Sequence, residues 1–154
     1  MSDASVSIDR LWRDPAFILA LVAGPAVWLL LMHATGGTPH PWRLDLPPGY
    51  VSYALVFPVL EEIAFRGALQ ASMYRCNWGQ RTSIGISNAN VVTSLVFTSL
   101  HFLVHAPLWA AAVFLPSLVF GYFRDKYQTL VPALLLHVIY NAGYFFFFGA
   151  SAAR

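Results

Sequence analysis

Apolar positions gather into five long runs, at 16–32, 50–73, 86–105, 108–123 and 130–148. Each holds about 16–24 residues, close to the ~20 that carry a helix across a bilayer. The pattern predicts an all-α, polytopic bundle of about five transmembrane helices. Residues 1–15 read as a polar leader, interfacial or loosely ordered, residues 16–148 as one transmembrane domain, and residues 149–154 as a tail. Between the first two runs, Gly36, Gly37, Pro39, Pro41, Pro47 and Pro48 mark an extended external loop, with Trp42 and Tyr50 suited to the interface. The segments 74–85 and 124–129 read as short basic loops.

Composition agrees: 58% of residues are hydrophobic and 10% charged, against roughly 25% charged in a soluble domain. The first run follows Arg10 and Arg13 as a signal peptide would. It exceeds the usual apolar core of ~7–15 residues and further spans follow, so it is expected to be retained. Arg10, Arg13, Arg66, Arg75, Arg81, Arg124 and Lys126 fall on one side of the membrane, and Arg43 and Arg154 on the other. This bias puts the N-terminus in the cytoplasm. The net charge of +2 is thereby a topology signal that calls for no nucleic-acid partner. Cys76, the only cysteine, excludes an internal disulfide and a cysteine metal cluster.

Inside the second run stand Glu61, Glu62 and Arg66. A charged residue at mid-span costs roughly 2.5–3.5 kcal/mol on insertion scales, so such residues need partners or a task. On a helix Glu62 and Arg66 lie within about 40° of each other, whereas Glu61 and Arg66 are about 140° apart. Glu62 is therefore the expected partner of Arg66, and Glu61 is left for another role. Pro58, just ahead, is expected to free a backbone carbonyl and kink the helix. The third run adds Phe97 and His101, and the fifth His137 and Asn141, four apart on one helical face. His105 is read as an interface residue, and Phe145–Phe148 as lipid contact or anchoring.

A carboxylate out of water can serve as a general base, an imidazole can hold the attacking water, and a His and an Asn can donate to an oxyanion. These residues suit hydrolysis of an amide. Serine, zinc-motif and aspartyl designs fit less well, because no Gly-x-Ser-x-Gly occurs, no His-Glu-x-x-His zinc motif occurs and every aspartate lies outside the runs. Zinc on Glu61, His101 and His137 stays open as the less favoured alternative.

Glu-Glu-x-x-x-Arg at 61–66, Phe-x-x-x-His at 97–101 and His-x-x-x-Asn at 137–141 follow one another on successive apolar helices. This pattern resembles the CPBP family of intramembrane proteases, which includes CAAX prenyl endopeptidases and bacterial relatives linked to bacteriocin processing and immunity. The resemblance covers roughly residues 50–148. It implies a glutamic-type peptidase without a cofactor, in which Glu61 activates water with His101 and His137 and Asn141 form the oxyanion site. Glu62 and Arg66 would support them, and Phe97 would pack alongside. Many members have about eight spans, so helices that shape a substrate entrance are missing here, which sets prenylated substrates in question. The small size is similar to bacterial members associated with C-terminal sorting signals, which implies the bacterial inner membrane, the lipid bilayer as surroundings and a membrane-anchored protein or peptide as substrate. The rival expectation is a non-catalytic immunity or scaffold protein whose polar groups only join helices. Nothing in the sequence sets an oligomeric state.

Overall fold

A computed structural model describes residues 8–34 and 49–148. The glycine- and proline-rich loop before Gly49, the first residues of the leader and the tail lie outside the described residues. The helices are α1 (Ile8–Trp12), α2 (Pro15–Ala34), α3 (residues 52–74), α4 (Asn77–Gln80), α5 (Asn88–His101), α6 (Pro107–Ala112), α7 (Phe114–Tyr127) and α8 (Val131–Phe148). A hairpin pairs β1 (Thr82–Ser83) with β2 (Ile86–Ser87), and its turn places Ile84 and Gly85 at positive φ.

Three stretches among the described residues are long and apolar enough to cross a membrane: Pro15–Ala34, Pro107–Tyr127 and Val131–Phe148. The other two runs are helical as well, the third shortened at its start and the second irregular along its length. The third run enters its helix only at Asn88, because Ile86 and Ser87 belong to the hairpin and the Ser87 side chain caps the helix by accepting from the Asn90 N–H. α5 then spans 14 residues, about 21 Å at 1.5 Å per residue, against a hydrocarbon core of about 30 Å. α3 covers the second run but alternates α-helical turns with π-helical stretches at Ser52–Val56 and Ile63–Gln70. The segment 74–85 is no simple loop, since it carries α4 and the hairpin. α7 also runs past the expected boundary to Tyr127, where Gln128 adopts a left-handed conformation and ends it.

α8 is the central element. It packs against α2, α3 and α7, and α5 packs against α3 and α7. The apolar core joins Leu11, Phe17, Phe120, Phe123 and Leu136, with Phe17 set edge-on to Phe123 at 5.4 Å between centroids. α7 approaches α5 closely because residue 121 is glycine: a Cβ there would fall 2.0 Å from Asn90 Oδ1. Small residues allow helices in a membrane to come this near. Phe145 and Phe147 lie against Tyr53 and Trp28, at 5.1 and 6.1 Å, so part of the phenylalanine run packs between helices rather than only facing lipid.

The described end of the leader packs onto the bundle. Leu11 is wholly buried, and Asp14 accepts hydrogen bonds of 2.7 Å from both Lys126 Nζ and Tyr127 Oη, 112 and 113 residues away. Burial by itself pushes the Asp14 carboxyl up, but the bonds from Lys126, Tyr127 and the Ala16 N–H together outweigh it and hold the group below its ordinary 3.8. A lowered folded-state value means that the stabilisation is complete above the unfolded carboxyl's pKa and fades as pH falls through the folded one. Asp14→Asn is expected to cost about 1–2 kcal/mol at pH 7. It should also flatten the loss of stability below about pH 4, which unfolding in detergent at several pH values would measure.

Candidate active site

α3, α5 and α8 bring the three motifs together, with α7 behind them. Arg66 and Glu62 are both fully buried and pair at 3.1 Å, as their one-turn spacing requires. Arg66 Nη2 also donates to the Ser117 carbonyl at 3.1 Å and to Ser117 Oγ at 2.7 Å. Its guanidinium lies over the Phe97 ring at 4.8 Å and the Phe120 ring at 5.6 Å. Aromatic faces offset some of the cost of burying that cation. Arg66 is therefore a buried anchor and no loop charge, so the charge bias for orientation rests on Arg10, Arg13, Arg75, Arg81, Arg124 and Lys126 against Arg43 and Arg154.

Glu62 does more than neutralise Arg66. Its Oε1 also meets His137 Nδ1 at 2.8 Å. That contact places a proton on Nδ1 and leaves Nε2 directed at Glu61, whose Oε2 lies 3.5 Å away. Phe120 stacks on the His137 ring at 4.8 Å and 22°, fixing its plane. The two glutamates thus flank opposite nitrogens of one imidazole, Glu62 in a hydrogen bond and Glu61 at a distance that becomes an ion pair only when the ring carries a second proton. They differ in access: the Glu61 side chain is 31% exposed and the Glu62 side chain 0%.

Asn141 is placed by the backbone of α3. In the π-helical stretch the Phe57 N–H bonds the carbonyl of Ser52, five residues back. The next bond in that register would run from residue 58 to the Tyr53 carbonyl, but residue 58 is proline and has no N–H. Asn141 Nδ2 donates to that Tyr53 carbonyl at 3.1 Å. The expectation that Pro58 frees a carbonyl is met, and the freed group ties α8 to α3 one turn from His137.

His101 closes the group from α5. Its Nδ1 lies 2.9 Å from the Phe97 carbonyl, and its ring lies 4.4 Å from that of Phe97. Phe97 in turn touches Phe65 and His137, at 4.9 and 6.1 Å. Among the described residues, no group of three His, Cys, Asp or Glu side chains is arranged to hold a metal ion.

Ser117 and Phe120 escaped sequence reasoning because α7 carries no motif, although small residues at 117 and 121, four apart, hint at a close helix contact. His105, read as an interface residue, stacks on His101 with centroids 5.4 Å apart.

No curated protein and no solved structure matches the chain. A family model described as type II CAAX prenyl endopeptidase Rce1-like matches residues 43–143, a stretch that contains all three motifs. That family is one of membrane proteases, so protease activity on a peptide or protein substrate goes with it, and the apolar helices are those of an integral membrane protein. The chain belongs to the Rce1-like family of type II CAAX prenyl endopeptidases.

Proposed function

We propose that the chain is a glutamate-dependent intramembrane endopeptidase of the bacterial inner membrane, with its N-terminus in the cytoplasm. It hydrolyses a peptide bond of a membrane-anchored protein or peptide, near a C-terminal sorting signal. The observation that carries this reading is the division between the two glutamates. Glu62 is sealed between Arg66 and His137, while Glu61 keeps an accessible carboxylate beside His137 Nε2.

In the proposed reaction a water lies between Glu61 and Nε2 of His101. Glu61 takes its proton as the oxygen attacks the scissile carbonyl. The oxyanion accepts hydrogen bonds from His137 Nε2, when protonated, and from the Asn141 amide. Collapse of the tetrahedral intermediate breaks the C–N bond, and Glu61 returns its proton to the leaving amine. Donors held in advance are worth roughly 2.7–4 kcal/mol each to such a step. Nothing in this sequence of events takes a cofactor, so strong chelation is expected to leave turnover intact.

The non-catalytic reading keeps one observation in its favour. Gln70 bonds the Gly121 carbonyl at 2.9 Å and Asn90 the Leu118 carbonyl at 2.9 Å, so polar side chains do join helices far from Glu61. Comparing the protein termini of membranes that hold the wild-type chain with those of membranes that lack it separates the two. New termini close to membrane-embedded segments support the peptidase, and identical termini together with no cleavage of anchored peptides by the purified protein would overturn it.

A further inference from the structure

α5 ends at His101, yet the chain makes one more turn before Pro107 opens α6. In that turn the N–H groups of Val104 and His105 both bond to the His101 carbonyl, at 3.2 and 2.9 Å. The turn continues the helical path and sets residue 105 one turn above residue 101. The two imidazoles stack with their planes 27° apart and centroids at 5.4 Å. One turn before His101, Phe97 meets the same ring at 4.4 Å. His101 is therefore held between two aromatic neighbours along the helix axis. His105 is half-buried, and its stack on His101 sets it beside a residue of the site.

A carbonyl can only accept, so the bond to the Phe97 carbonyl requires the His101 proton on Nδ1 and leaves Nε2 for the site. Rotation of the ring by half a turn about its χ2 axis would put Cδ2 and Cε1 where Nδ1 and Nε2 stand, which breaks the bond to the Phe97 carbonyl, frees the choice of tautomer and turns Nε2 away from the site. We propose that His105 is a positioning residue that locks the His101 ring in this orientation by stacking on it. The inference rests on the peptidase reading for its kinetic consequence, but its structural content concerns the ring of His101 alone. A stacked aromatic pair adds ~0.5–1.5 kcal/mol beyond its buried area, which corresponds to about a two- to tenfold effect.

His105→Ala, His105→Phe and wild type are compared on an anchored peptide, with histidine 15N spectra of each and His101→Ala to assign the resonance. His105→Ala is expected to lower kcat about tenfold with KM unchanged, and to shift His101 from one Nδ1–H tautomer to a mixture. Phenylalanine keeps the stack without the nitrogens, so His105→Phe should recover most of both. An unchanged His101 tautomer in His105→Ala overturns the proposal, as does an unchanged kcat in that variant of an active enzyme. Equal loss in the two variants also overturns it, because the nitrogen and not the stacking would then be what matters. Should wild type cleave nothing, the peptidase reading fails and the 15N spectra alone decide the role of His105.

Discussion

Glu61→Gln, reconstituted in vesicles with a membrane-anchored peptide, is expected to turn over at least about 10³-fold more slowly than wild type. KM should stay within about threefold, since a change confined to the transition state leaves ground-state binding alone. Glutamine has the size and hydrogen-bonding reach of glutamate but no basicity, so it fills the same space and cannot take a proton from water. The fold is expected to survive: the Glu61 side chain is 31% exposed, and the Glu62–Arg66 pair and the Glu62–His137 bond do not depend on it. Thermal unfolding within about 1 kcal/mol of wild type would verify that the loss is chemical. Undiminished cleavage by a folded Glu61→Gln protein would remove the glutamate mechanism and return the site to the role of helix glue.

Loss of Glu62 should act in the opposite manner, on the fold before the chemistry. Glu62→Ala leaves the Arg66 guanidinium buried without its counter-ion, which costs about 3–5 kcal/mol where a buried pair is broken from one side. Arg66→Ala carries a similar penalty, because Glu62 and both bonds to Ser117 lose their partner. Replacing both charges at once with apolar residues, as in Glu62→Leu with Arg66→Met, is expected to restore most of the stability, since two desolvation costs vanish along with the attraction. Activity should not return in that double variant, because His137 Nδ1 would have lost the acceptor that sets its proton. Unfolding in detergent and cleavage of the anchored peptide read the two effects separately. A double variant that is stable and also active would show that Glu62 serves only to balance Arg66.

Much of this was legible along the chain, and the legible part is local. The apolar runs mark the helices because each is long enough to remove a whole helix from water. The i, i+4 spacing of Glu62 and Arg66 defines their pairing before any tertiary contact exists. Pro58 announces a freed carbonyl through its missing N–H. Local spacing misled at the ends of elements. The run 86–105 looks like one whole span by hydropathy, but hydropathy does not register the Ser87 cap or the hairpin before it, and it gives no sign of the π-helical stretches inside α3. The stack of His105 on His101 was not legible, because the turn that carries His105 over His101 lies beyond the helix end.

By itself, then, the sequence determined an all-α membrane bundle, the Glu62–Arg66 pair, the three motif-bearing helices and their residues. Periodicity and the absence of a backbone donor are properties of neighbouring residues. Only the tertiary structure decided that His137 stands between the two glutamates and bonds to Glu62, that Asn141 closes on the carbonyl Pro58 left free, and that Ser117 and Phe120 of a helix without a motif pack around them. Those relations join residues far apart in the chain, and they exist only where helix crossing sets side chains from different helices within hydrogen-bond or ring-stacking distance.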